Sequence, residues 1–408
     1  MMQLTILDNG LTVASRQTPG VETVAIGLYA DTGSRYEPAH LNGIAHLFEH
    51  MVFKGAGSRS AREISEAIED VGGDLNAATD RDSTSFMASV LAEHVPLGLE
   101  LIADMIRRPH FNVKDMEREK DVVIQELGEA RDTPSDIIFD DLQSAAFADQ
   151  PMGRSILGDE ASIAAISIDD LQLWKNGQYR TGGLALVAAG KVEHARIVDM
   201  AESHFGDMPK SHINPPEPAL FTGGDRVGRT NSDQAHFALG FCGPSQLDSD
   251  YFAARLFSDA VGGGMSSRLF QQLREERGLA YSIYSYLHPY RDTGLFSIYA
   301  ATARNQSAAA AQLIEEIIAQ SAETITQREL DRVRTQAKAG LLMSLESTWG
   351  QAHYVARQLS LHGRLVETSE VVAELEAVTL DHMREAGRKM LAGPRARATI
   401  GFPAVRAA

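Results

Sequence analysis

Between Pro209 and Gly224 the chain gathers Pro215, Pro216, Pro218, Gly223 and Gly224. Proline removes a backbone donor and fixes φ, and glycine weakens any regular element, so neither a helix nor a central strand runs through this stretch. It is read as a linker, and a chain of 408 residues is in any case too long for one hydrophobic core. The expected division is 1–208, linker 209–224 and 225–408. In the first half, hydrophobic patterning marks strands near 3–13, 22–30, 74–79, 83–91 and 184–189, and helices near 42–54, 61–70, 93–107, 113–131 and 134–148. The second half repeats this order in outline, with a strand at 235–243, helices at 251–261 and 266–277, paired strands at 281–288 and 294–301, then helical periodicity to about 391. The expected fold class is therefore α+β: two homologous domains, each a mainly antiparallel β-sheet covered by α-helices on one side.

The segment His46-Leu47-Phe48-Glu49-His50 carries the chemistry. On a helix, residues four apart lie one above the other, about 6 Å apart along the axis, so both imidazoles reach one metal ion. A catalytic zinc takes three protein ligands and keeps one position for water, whose pKa it lowers towards about 7. Glu49, beside such an ion, is placed to take that water's proton. The same five positions also fit a plain amphipathic helix whose apolar side is Leu47, Phe48, Met51 and Val52.

A third ligand is offered between Met116 and Glu129, where Met116, Val123, Ile124 and Leu127 have helical spacing. Glu119 and Glu126 are two turns apart and share a face beside that apolar stripe. Acids on the buried side of a helix need a partner, and a metal with two histidine ligands supplies one. Glu117 and Glu129 read instead as a solvated acidic face.

These residues resemble the pitrilysin/insulinase family of zinc peptidases, inverted zincins with the pattern H-x-x-E-H, in the branch of mitochondrial and bacterial processing peptidases. The resemblance implies zinc ligands His46, His50 and Glu126, one Zn2+ per chain, with Glu49 as general base and Glu119 supporting the site from behind. It extends over Asp8 to Val13, Gly43 to Gly55, and Gly72 to Thr79. Relatives more often have Phe-Leu where this chain has Leu47-Phe48, an apolar swap that leaves the chemistry intact. By the same resemblance Phe53, Asn76 and Ala77 line the substrate cleft, and the strand holding Asn76 is an edge to which a peptide adds as an extended strand. A Gly-rich turn followed by an ordinary strand is the alternative there.

From Gly262 to Tyr281 a glycine cluster opens a helix, but no Gly-Lys-Ser/Thr follows, so a nucleotide loop is rejected. In the family an arginine and a tyrosine near this position, here Arg274 and Tyr281, bind substrate and polarise the scissile carbonyl. Surface charge and a strand aromatic are the plainer readings of the two. The resemblance further implies that the chain is half of a clamshell completed by dimerisation. A homodimer is expected, with Arg274 and Tyr281 completing the partner's zinc site, and a heterodimer with a sister subunit as the alternative. The implied activity is zinc-dependent endopeptidase action on peptides or unfolded segments. The competing functions are a non-catalytic core or scaffold subunit of the same fold, and a maturation protease of narrow specificity.

Composition narrows the rest. The chain is 44% hydrophobic, yet no apolar run approaches the roughly 18 residues that span a bilayer, so no membrane role is expected. A net charge of −17 argues against nucleic-acid binding. The amino-terminal residues show neither a secretory signal nor an arginine-rich presequence, which makes the cytoplasm the expected compartment. A single cysteine, Cys242, suits a reducing environment.

Overall fold

The computed structural model describes residues 1–228 and 232–402. It divides into two compact units, one formed by Met1–Leu127, Ser155–Glu217 and Leu342–Val366, the other by Gly128–Arg154, Pro218–Leu341 and Glu367–Ala408. These units differ from the sequential halves 1–208 and 225–408, because each half of the sequence gives one helix-bearing segment to the unit built mainly by the other. No proline or glycine cluster marks those crossings. Two of them run through continuous helices, Val113–Asp132 and Gln327–Ser344.

The first unit holds a six-stranded sheet in the order Met2–Ile6, Thr12–Gln17, Leu184–Gly190, Thr23–Ala30, Thr84–Leu91, Asp74–Thr79. Every neighbouring pair is antiparallel except Thr12–Gln17 with Leu184–Gly190, which is parallel. The single strand expected over 3–13 is two strands of a hairpin. Gly10 takes φ +92°, and the Asn9 carboxamide oxygen accepts from Leu11 N–H, so Asn9-Gly10 turns the chain back on itself. In Thr23–Ala30, Val24, Ile26 and Leu28 face one way into the main core, beneath the helix Val95–Arg107. The other face presents Ala25, Gly27 and Tyr29, and against it lies the helix Thr348–His362, contributed by the far end of the sequence. The expectation of helices on one side only is corrected here: this helix covers the second face, and its His353 ring meets Tyr29 edge to face at 5.5 Å between centroids.

The second unit repeats the device. Its sheet has the order Ala280–Pro289, Gly294–Ala303, Gln234–Gly243, Arg395–Ile400, Gly224–Val227, again antiparallel but for the last pair. Phe237, Leu239 and Phe241 face a core built with the helices Tyr251–Gly262, Ser307–Thr324 and Leu380–Ala392. Ala238 and Gly240 face the helix Pro134–Ala146, whose Ile138 and Leu142 close a smaller core. Patterning alone did not disclose the helices Glu160–Ala165, Ile168–Gln178 and His194–Phe205 or the strands Gly224–Val227 and Arg395–Ile400. For two of those helices a local signal exists, since Asp159 and Ser167 each form a capping box. The helix expected over 266–277 is helical over 268–275, beginning as α-helix at Arg268 and Leu269 and continuing as the π-helical segment Phe270–Glu275. Among the described residues no helix is long and apolar enough to cross a membrane.

Candidate metal centre

His46, Glu49 and His50 lie on the helix Ile44–Val52, whose Ile44, Leu47, Phe48 and Met51 are fully buried. That apolar face anchors the helix, and Phe48 stacks on Tyr179 at 4.6 Å between ring centroids. The amino end is held by buried Glu37, whose Oε2 accepts from Gly43 N–H and Asn42 Nδ2, and whose Oε1 accepts from Ala45 N–H. A carboxylate at this end answers both the orphan amides and the helix dipole. Gly43 enters the helix at φ +94°, and a side chain there would meet Ile163 Cδ1 at 2.5 Å. With one face and one end fixed, the opposite face carries His46, Glu49 and His50, all half-buried.

The second helix, Val113–Asp132, packs Met116, Val123 and Leu127 into the unit and brings two acids to the histidines. Glu126 Oε2 stands 3.6 Å from His50 Nε2 and 3.9 Å from His46 Nε2. Glu119 Oε2 stands 3.1 Å from His50 Nδ1. Because a carboxylate only accepts, His50 carries its proton on Nδ1, which leaves the Nε2 lone pair directed towards Glu126 and His46. Glu117 and Glu129 are exposed.

One ligand atom from each of His46, His50 and Glu126 falls within 4.8 Å of the others. Two imidazoles and a carboxylate are a hydrolytic zinc donor set, and bonds of about 2.0–2.1 Å in a tetrahedron put ligand atoms about 3.4 Å apart. The histidine-to-Glu126 separations need close by only a few tenths of an ångström to reach that value. Burial, reinforced by neighbouring His50, lowers the His46 pKa to about 4, so its ring is neutral and available as a ligand at neutral pH. His46 Nδ1 is buried and has no hydrogen-bond partner among the described residues. The residues present therefore fit a zinc ion held by His46, His50 and Glu126.

Glu49 sits beside this set. Burial raises its carboxyl above the usual range, and the Thr79 hydroxyl, which donates to Oε2 at 2.5 Å, opposes that rise. Thr79 ends the strand Asp74–Thr79, which lies at the edge of the sheet, bonded on one side to Thr84–Leu91. Its alternation turns Leu75, Ala77 and Thr79 inward and leaves Asn76 exposed, where the Asn76 carboxamide oxygen accepts from Ala77 N–H. Phe53 is half-buried against the core at the end of the motif helix.

Arg274 and Tyr281 belong to the second unit. Both are exposed, Tyr281 to 62%, and the Arg274 guanidinium lies 4.9 Å from the centroid of the Phe270 ring. Sequence patterning does not single out Glu37, Lys54 or Thr79. Lys54 could have been found from its position four residues after His50, and Thr79 from strand alternation with Leu75 and Ala77. Nothing local to Glu37 indicates its role.

Comparison with known proteins matches residues 12–160 to the family described as Insulinase (Peptidase family M16) and residues 165–337 to the Peptidase M16 inactive domain. An uncharacterised zinc protease of Bacillus subtilis is 35% identical over 96% of each chain. One of Rickettsia bellii is 33% identical over 97% of this chain and 96% of that protein. A probable mitochondrial-processing peptidase subunit beta of Arabidopsis thaliana is 32% identical over 95% of this chain and 76% of its own length. The crystal structure of a Helicobacter pylori protease superposes with a TM-score of 0.91 at 20% identity, covering 98% of this chain and 99% of that one, which bears on the fold alone. The two-unit α+β fold is thus shared with that structure, and by sequence the chain belongs to the peptidase M16 (insulinase) family.

Proposed function

We propose that this chain is a zinc-dependent endopeptidase acting on peptides or unfolded segments. The observation that carries the reading is the convergence of His46, His50 and Glu126 beside the half-buried carboxylate of Glu49. Zinc, when bound, supplies Lewis acidity, activating a water and polarising the scissile carbonyl. Glu49 takes a proton from the attacking water and delivers it to the leaving amine nitrogen. Burial raises its carboxyl in the direction of the operating pH, which is the direction that serves a group acting first as base and then as acid. Glu119 orients His50 through Nδ1.

The free edge of Asp74–Thr79 supports a substrate lying alongside as an added strand, with Asn76, Ala77 and Phe53 as its proposed neighbours. Arg274 and Tyr281, exposed donors, are proposed to bind the substrate carbonyl, supplied by a second copy of the chain in a homodimer. A reducing compartment, the cytoplasm, suits a chain with one cysteine. An intact donor set with a base beside it favours this reading over a scaffold subunit.

The test is cleavage of a quenched fluorescent peptide library by the purified full chain, with chelation, zinc readdition and Glu49→Gln alongside. Chelator-sensitive cleavage that vanishes in Glu49→Gln, with zinc retained, is expected. Full activity in Glu49→Gln would sink the mechanism, and a zinc-loaded wild type that cleaves nothing would favour the scaffold reading.

A further inference from the structure

The face of the motif helix that carries His46 and His50 continues one turn further to Lys54. Phe53 keeps a right-handed helical conformation, and Lys54 N–H bonds to Met51 O at 3.2 Å, so the four-residue spacing carries past the end of the helix. The facing helix presents Glu126 and Glu119 in the opposite order. Glu126 lies against both histidines, while Glu119 lies between His50 and Lys54. The two oxygens of Glu119 are divided between them: Oε2 stands 3.1 Å from His50 Nδ1, and Oε1 stands 2.9 Å from Lys54 Nζ.

Glu119 is only 7% exposed. A buried carboxylate is costly without a charged partner, and a single imidazole N–H leaves its second oxygen unanswered. A carboxylate that turns a metal-binding imidazole must also be held, because its orientation sets the direction of the ring's other nitrogen. Lys54, four residues beyond His50, meets both needs and brings a positive charge to a cluster that otherwise gathers the carboxylates of Glu49, Glu119 and Glu126.

We propose that Lys54 is a positioning residue of the metal centre, holding Oε1 of Glu119 so that Oε2 fixes His50 with Nε2 directed at the ion. The inference rests on the zinc site proposed above. It differs from a plain ion pair between Lys54 and the facing helix, which would add stability and leave metal affinity unchanged.

The test is the zinc dissociation constant of the full chain, measured by chelator competition for the wild type, Lys54→Met, Lys54→Arg, Glu119→Gln and the double variant Lys54→Met/Glu119→Gln. Thermal unfolding of the zinc-free proteins monitors packing, and Lys54→Gln serves if Lys54→Met does not fold. Lys54→Met is expected to weaken zinc by about 10–100-fold, as losing the partner behind a ligand does. Lys54→Arg should recover most of that affinity, and the double variant should bind no more than about threefold worse than Glu119→Gln alone. Wild-type affinity in Lys54→Met would overturn the proposal, as would losses that multiply fully in the double variant. Failure of the wild type to bind zinc would remove the proposed function and this inference together. Zinc binding without peptide cleavage would remove only the peptidase reading.

Discussion

Thr79 donates its hydroxyl hydrogen to Oε2 of Glu49 across 2.5 Å, joining the last residue of an edge strand to the carboxylate beside the histidine pair. A hydrogen bond to a charged group contributes about 1.5–3 kcal/mol, which corresponds to roughly 10–100-fold in rate if it is needed in the transition state. Thr79→Val should therefore lower kcat/KM by that factor without changing zinc content, and Thr79→Ser should keep most activity. Steady-state kinetics with metal analysis of the same samples decides it, and an unimpaired Thr79→Val would mean that Glu49 is held by its other neighbours.

Glu126 is the most open of the three ligand candidates, its side chain 39% exposed against 15% for His46 and 17% for His50. On the ligand set proposed above, Glu126→Ala leaves zinc with two protein ligands, so it should lose the metal on dialysis while Glu49→Gln retains it. Zinc retained at one per chain in Glu126→Ala would require a different third ligand.

Glu37 accepts from Gly43 N–H, Ala45 N–H and Asn42 Nδ2 while only 3% exposed. Its loss leaves buried donors unsatisfied, at about 1–3 kcal/mol each before relaxation. Glu37→Ala should cost about 3 kcal/mol in urea unfolding, with Glu37→Gln costing less because one carbonyl oxygen remains. No change in either midpoint would show that water or another acceptor replaces the carboxylate.

Glu329 provides a pH signature in the second unit. Burial would raise its carboxyl, but hydrogen bonds from Arg268, Thr326 N–H and the Thr326 hydroxyl outweigh this and bring its pKa to about 2. A pKa lowered on folding gives stability that is present above the unfolded value of about 4.3 and is lost as pH falls through the folded value. Wild type should exceed Glu329→Gln by about 2 kcal/mol at pH 7, and the gap should close between about pH 4 and pH 2. Urea unfolding of both proteins across that range is the check, and a gap independent of pH would assign the stabilisation to packing.

Much of the site's layout was legible because it is local. His46 and His50 share a face by the geometry of one helix, and Glu119 and Glu126 share one by the same rule. The strands Asp74–Thr79 and Thr84–Leu91 and the motif helix were close to their expected bounds because alternation and helical spacing there are unbroken. Elements failed where a turn signal was overridden by apolar continuity, as when Asn9-Gly10 split a supposed single strand. The compact units escaped detection too, since the helices Pro134–Ala146 and Thr348–His362 pack on faces made by distant residues.

By itself the sequence determined which groups share a helical face, because 3.6 residues per turn is a property of the backbone. Tertiary structure alone decided that Thr79 reaches Glu49, that Glu37 caps the motif helix, and that Glu119 is divided between His50 and Lys54. Each of those meetings depends on sheet register and on how one element packs against another, and no local period encodes either.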